Sequence, residues 1–219
     1  APENTMAATQ KCIDLGVEYV EIDVRMSKDS VFYILHDRTL NRTTNGSGMI
    51  NAMHSKQIDQ LDAGSWFSDD FKGEKVPRLD TYLNEIKGKI KVYFDVKDAD
   101  LERLISLVYK SGFQDDCFFW FSSDKKAKQF RELDEYIPLK MNIKNIGDVT
   151  KIMSYNPQLI ECGIELITPE IVKACKDNNL KIMVNALHKN AEKDYQKIID
   201  SQADMVNLDK PDIMIEEMN

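Results

Sequence analysis

The sequence predicts an α/β chain with the TIM-type (β/α)8 barrel as its fold class, and three observations carry that prediction. Short apolar runs of β character alternate with longer amphipathic runs of helical period. The alternation is regular from about residue 89 onward. The β-type runs also number one short of the eight that a closed barrel needs. Repeated strand-then-helix units imply right-handed crossovers and a parallel sheet. A doubly wound sheet would satisfy the same alternation, and the count is what favours the barrel.

Taken in order, "PENTMAATQKCIDLG" reads as a helix. Asn4 or Thr5 starts it, Met6, Ala7, Cys12 and Ile13 form its apolar side, and Gly16 ends it. "VEYVEIDV" and "VFYIL" follow as strands around the turn-like "SKDS", the second being a hairpin excursion from the first. "NRTTNGSGMINAM" is polar and Gly-rich and reads as a loop; a helical turn lies around "SKQIDQLDA", and "KVPRLDTYLNEIK" is a helix with Pro at its entrance. The later strands are "KIKVYFDV", "DCFFWFS", "IPLKMNI", "QLIECGI", "LKIMVNA" and "ADMVNL". Helices are expected near 99–112, 123–135, 146–155, 168–178, 191–202 and 211–218. "VEYVEIDV" and these six make seven barrel strands. The chain opens with a helix, so counting places the eighth strand before Ala1, and the chain reads as N-terminally incomplete.

A length of 219 residues suits one domain, 1–219, with a sizeable core. No linker, low-complexity tract or internal repeat divides it. Lys and Arg number 29 against 37 Asp and Glu, a formal charge of -8. That balance argues against nucleic acid or an anionic membrane as partner. It leaves room for an anionic small molecule, because a bound cation or a few placed lysines can invert the local field. No run approaches the roughly 18 apolar residues that span a bilayer, so no stable membrane insertion is expected. Cys12, Cys117, Cys162 and Cys175 are widely spaced and read as free thiols, mostly buried.

The segment "EYVEIDVRM" carries the strongest chemical signal. Glu21 and Asp23 are two apart on a strand, so both carboxylates point to one face. Near the C-terminal end of a barrel strand that face opens on the active site. Two carboxylates held together repel unless a proton or cation lies between them, and a hard divalent ion suits them. An exposed strand face with solvated acids would look the same in isolation. "YFDVKDAD" repeats the pattern with Asp95 and Lys97. Asp95 could add a third metal oxygen, and Lys97 could hold a phosphate as a point charge. Lys97 could equally be a snorkelling lysine at a strand end.

His36 stands where an apolar strand enters the polar loop of "YILHDRTLNRTTNG", a place suited to a general acid or base. His54 and His188 have no companion pattern and read as structural or surface residues. Trp66 and Phe67 in "LDAGSWFSDDF" could line a substrate mouth or pack a loop. "CFFWF" reads as barrel filling. Neither a Gly-rich nucleotide loop nor a nucleophile elbow with its triad is recognisable.

Taken together, the segments resemble the glycerophosphodiester phosphodiesterase family. The resemblance lies in "APENT" at 1–5, "GVEYVEIDVRMSKD" at 16–29, "LHDRTLNRTTNGSG" at 35–48, "LDAGSWFSDDFKGEKVPRLDTYL" at 61–83 and "FDVK" at 94–97. Weaker echoes follow in "IMVN" at 182–185 and "ADMVNLDKPD" at 203–212. The resemblance implies metal-assisted hydrolysis of a small phosphodiester to glycerol 3-phosphate and an alcohol, with one divalent cation, Mg²⁺ or Ca²⁺. It puts the metal carboxylates on Glu21, Asp23 and Asp95, one of two catalytic histidines on His36 and the phosphate-contacting lysine on Lys97. Glu3 falls on a glutamate beside the site rather than on a metal ligand, and Trp66 falls in a segment bordering the substrate.

Three departures stand out. The family opens with a strand ending in His-Arg-Gly shortly before "PENT", and this sequence contains no such tripeptide. A truncated start would account for that and for the missing strand together. The third metal carboxylate is usually Glu, and Asp95 is one methylene shorter. The late Trp-Thr-Val-Asn motif is Ile182-Met183-Val184-Asn185 here, which removes a usual wall of the glycerol site. These departures motivate two rival expectations. One is a non-catalytic relative that binds a phosphorylated ligand. The other is a lyase resembling the spider-venom phospholipase D family, giving a cyclic phosphate.

Overall fold

In the computed structural model, which describes residues 1–218, helix α1 (Met6–Asp14) follows a short N-terminal segment. Thr5 caps α1: its hydroxyl accepts from the Ala8 amide at 3.3 Å and donates to the Pro2 carbonyl at 2.8 Å. Strand β1 (Tyr19–Met26) then turns back through Ser30 into β2 (Phe32–Ile34), with Val24 opposite Ile34 and Met26 opposite Phe32 in an antiparallel pair. The expected hairpin excursion is therefore present.

The connection from β2 to the next barrel strand is long and carries the single turn α2 (Ser55–Ile58) and helix α3 (Leu79–Ile86). Its apolar residues Leu40, Ile50, Ile58, Ala63 and Val76 pack with Tyr33 and Leu35 into a small core of their own. Asp62 organises the stretch that follows. Its carboxylate accepts from the amides of Gly64, Ser65 and Gly73 at 2.9, 2.8 and 2.7 Å, which holds it well below the ordinary carboxylate range. Gly64 passes against the Phe71 carbonyl so closely that an added Cβ would stand 1.8 Å from its oxygen.

The remaining elements alternate as expected: β3 (Lys91–Val96), α4 (Leu101–Ser111), β4 (Cys117–Trp120), α5 (Asp124–Leu133), β5 (Lys140–Asn142), α6 (Ile146–Ile152), β6 (Leu159–Cys162), α7 (Pro169–Asp177), β7 (Lys181–Asn185), α8 (Tyr195–Ile199), β8 (Met205–Asn207) and α9 (Pro211–Met218). Two expected helices are shorter than their patterns. The stretch 146–155 tightens into a 3-10 turn after Ile152, and 191–202 begins as a 3-10 turn behind the left-handed Asn190.

The chain divides into two compact units, Ala1–Ile137 and a second beginning at Pro138. In the first, the strand order is β2-β1-β3-β4, with β1, β3 and β4 parallel. In the second it is β5-β6-β7-β8, parallel throughout. The first unit's core is aromatic: Phe94 stacks on Phe119 and Phe119 on Phe130, all fully buried. Burial of each such ring is worth roughly 1.5–3 kcal/mol. In "CFFWF" Phe118, Phe119 and Phe121 are buried, but Phe119 and Phe121 pack on Phe130 of α5, between strand and helix rather than inside a barrel, and Trp120 at the strand end remains partly exposed. In the second unit, helix α8 lays Tyr195 and Ile198 against Val184 and Ala186. Cys117, Cys162 and Cys175 are buried free thiols and Cys12 is a half-buried one. No helix among the described residues is long and apolar enough to cross a membrane.

Candidate active site

The parallel register of β1 on β3 builds the floor of the site. Glu21 lies opposite Tyr93 and Asp23 opposite Asp95. Strand alternation puts Glu21 and Asp23 on one face, and the register brings Asp95 beside them. Ligand oxygens of all three lie within 4.8 Å of one another. Asp23 and Asp95 are buried, with 8% and 4% of their surface exposed, and Glu21 is half-buried.

Lys97, two residues after Asp95, brings its ammonium to the same place. Its Nζ lies 2.6 Å from Asp95 Oδ2 and 3.0 Å from Asp23 Oδ1. Burial disfavours its charge, but the bonds to Asp95 and Asp23 outweigh this and hold Lys97 above the ordinary lysine range. Its ammonium also sits 5.9 Å from the centre of the Trp120 ring. The ammonium thus stands between the two buried carboxylates. Hard oxygen donors so grouped fit a divalent cation.

A side chain outside the expected set completes the floor. Asn4 donates from Nδ2 to Asp23 Oδ2 at 2.7 Å and accepts from the Asp23 amide at 3.1 Å. It does so from a left-handed backbone, φ 56°, which asparagine tolerates better than most residues.

His36 is joined to this floor through the backbone. The Leu35 amide donates to the Asp23 carbonyl at 2.9 Å, and Arg25 donates from Nε and Nη2 to the His36 carbonyl at 2.9 and 2.5 Å. The imidazole is exposed, with Nδ1 2.8 Å from Asp37 Oδ1. Arg42 grips Asp37 on one edge and Glu3 on the other. Glu3 is thereby joined to the imidazole through Arg42 and Asp37. The recorded contacts of Trp66 are local: its indole donates to the Ala63 carbonyl at 2.9 Å and its ring meets Phe67 edge-on. His54 caps α2 and His188 lies in a loop facing Asp194, in keeping with structural or surface roles.

The second unit holds a buried polar cluster of its own. Lys140 on β5 forms an ion pair with Glu161 on β6, and both are almost wholly inaccessible. Glu161 also accepts from Asn185 Nδ2 at 3.1 Å and Asn207 Nδ2 at 3.4 Å. A charged residue inside each of two otherwise apolar strand patterns was the signal for this pair.

The family model for glycerophosphoryl diester phosphodiesterases matches residues 1–213. The chain belongs to this family. Among curated relatives, a glycerophosphodiester phosphodiesterase of Caldanaerobacter subterraneus subsp. tengcongensis is 26% identical over 234 residues, covering 98% of this chain and 91% of that protein. Among solved structures, a glycerophosphodiester phosphodiesterase from Agrobacterium tumefaciens is 36% identical, with a TM-score of 0.91 over 99% of this chain and 94% of that one. An Oleispira antarctica phosphodiesterase, solved with the product sn-glycerol-3-phosphate, is 23% identical with a TM-score of 0.88 over 100% of this chain and 92% of that one, and supports the fold. The fold class is therefore the α/β, TIM-type barrel class of the family. This glycerophosphodiester phosphodiesterase is an enzyme, a phosphoric diester hydrolase.

Proposed function

We propose that this enzyme hydrolyses glycerophosphodiesters to glycerol 3-phosphate and an alcohol with the help of one divalent cation, Mg²⁺ or Ca²⁺, held by Glu21, Asp23 and Asp95. The observation that carries this reading is the convergence of the three carboxylates on β1 and β3. Such a cation supplies Lewis-acid polarisation of the phosphoryl oxygens. The shorter Asp95 is compatible with that role because its register partner is Asp23 itself.

The chain's own groups divide the remaining work. Lys97 meets the anionic phosphoryl group at the strand end, exchanging a carboxylate contact for a phosphate contact, and so offsets charge that grows in the transition state. His36 transfers a proton as general acid or base. Trp66 and Glu3 border the substrate, Glu3 by holding Arg42. The substrate is a small phosphodiester. We read 1–219 as one phosphodiesterase domain because the family match runs without a break over 1–213; Asn219 lies outside the described residues.

The test is hydrolysis of glycerophosphocholine with Mg²⁺, with Ca²⁺ and with chelator. The expected result is metal-dependent release of glycerol 3-phosphate that chelator abolishes. Turnover untouched by exhaustive chelation would overturn the metal assignment, and a cyclic phosphate product would overturn the hydrolytic one.

A further inference from the structure

The loop after β2 holds a charged network that the reaction as proposed does not yet use. Asp37 engages both carboxylate oxygens: Oδ1 faces His36 Nδ1 at 2.8 Å and accepts from Arg42 Nη2 at 3.0 Å, and Oδ2 accepts from Arg42 Nε at 2.9 Å. The opposite edge of the same guanidinium donates from Nη1 and Nη2 to the two oxygens of Glu3, each at 2.7 Å. Four of the five N–H groups of Arg42 are thereby committed to two carboxylates in one plane. Only a planar fork does this; a lysine ammonium could not span both. Exposed ion pairs are weak one at a time, but a doubly bidentate arginine is the geometry in which they hold.

The network has a chemical consequence at the imidazole. An ionised carboxylate only accepts hydrogen bonds. Arg42 first, and His36 second, hold Asp37 well below the ordinary carboxylate range, so it is ionised wherever the protein is folded near neutrality. The hydrogen between it and His36 must then reside on Nδ1, and a neutral imidazole so bonded carries its lone pair on Nε2. Arg25 fixes the other end of the same residue through the His36 carbonyl. Glu3, the far anchor, is the chain neighbour of Asn4, which holds Asp23.

We propose that Asp37, clamped by Arg42 and Glu3, is the positioning residue that fixes His36 in the Nδ1–H tautomer and leaves Nε2 as its proton-transfer atom. The proposal rests on the reading of His36 as the acid–base group. Asp37 touches no reacting atom; it acts by removing the wrong tautomer and the wrong ring orientation.

The test combines ¹⁵N NMR of histidine-labelled enzyme with turnover. The sequence has three histidines, so His36→Gln identifies the His36 signals by their loss. In the wild type, Nδ1 is expected to be protonated and Nε2 not. In Asp37→Ala the proton is expected to pass to Nε2 in a large share of molecules, with kcat falling ~10²-fold, the worth of one placed acid–base group, and KM little changed. Arg42→Met should give a smaller version of both effects, and Arg42→Lys should fail to restore either. A ring still protonated solely at Nδ1 in Asp37→Ala, beside an inactive His36→Gln, overturns the clamp alone. Full turnover in His36→Gln overturns the catalytic reading and with it the purpose of the clamp.

Discussion

Each of the two units contains a cluster of charge on parallel strands, and the two clusters are balanced differently. On β1 and β3, Glu21, Asp23 and Asp95 converge, and the Lys97 ammonium contacts Asp23 and Asp95. On β5 and β6 one carboxylate meets one ammonium, and Asn185 and Asn207 donate to the same carboxylate. In the second, Glu161 meets three donors, and a cation would have to displace Lys140 and reorient the two amides. The first gathers three carboxylates whose oxygens lie within 4.8 Å of one another. What separates the two is that one gathers several carboxylates and the other pairs a single one, since both regions place carboxylates on apolar strands.

That contrast can be broken from either side. The largest effect is expected from Glu21→Ala or Asp23→Ala, each of which removes an oxygen donor from the three-acid cluster. Several kcal/mol of transition-state charge stabilisation correspond to a loss of roughly 10³-fold or more in kcat/KM, with calorimetric cation binding lost in parallel. Activity near wild type in both variants would sink the assignment. Next comes Lys140→Met in the balanced cluster. It strands Glu161 in the interior and should cost about 3–5 kcal/mol in denaturant unfolding, while the double variant Lys140→Met, Glu161→Leu should recover most of it. An additive double variant would mean that the two charges do not act as a pair.

A sharper and smaller probe is Lys97→Met. Removing the shared ammonium leaves the carboxylates of β1 and β3 facing one another, so the metal-free protein should melt lower. The cation should bind roughly tenfold more tightly, since about 1–2 kcal/mol of like-charge repulsion with the ion is gone. Unchanged or weaker cation binding would show that lysine and metal do not compete for Asp23 and Asp95. The smallest effect concerns the Asp62 loop. A carboxylate held below its ordinary value of 3.8 contributes stability above that pH and loses it as acid titrates the folded form. Trp66 fluorescence and proteolysis of residues 62–73 should therefore stay constant above about pH 4 and report loosening only below it. In Asp62→Asn the same loosening should be present at every pH.

The sequence made the unbalanced cluster legible and left the balanced one nearly silent, for physical reasons. Glu21 and Asp23 announce a shared face by spacing alone, because strand alternation is local. Asp95 and Lys97 repeat the same spacing, and the parallel pairing of β1 with β3 does the rest. The hairpin and the seven barrel strands were legible by the same local rule. Lys140 and Glu161 are 21 residues apart, and each is one charge in an apolar run. Pairing them needs the β5–β6 register, which no local pattern encodes. Arg42 with Glu3, 39 apart, and Asn4 with Asp23, 19 apart, were missed likewise. Each pair is made by a loop or terminal segment whose path is set by tertiary packing. Trp120 was read as filling because its neighbours are; its place at the strand end beside Lys97 follows from where β4 stops.

The close pass of Gly64 against Phe71 sets a rule for anyone redesigning this loop. Any side chain at 64 would drive into the Phe71 carbonyl and push apart the ends of the loop that Asp62 ties together. Diversity is admissible at the exposed tip, Trp66 to Asp70, while positions 62, 64 and 73 serve as its fixed frame. A library that randomises the whole loop will therefore return mostly misfolded variants. One that spares those three positions can vary the tip while the frame stays in place.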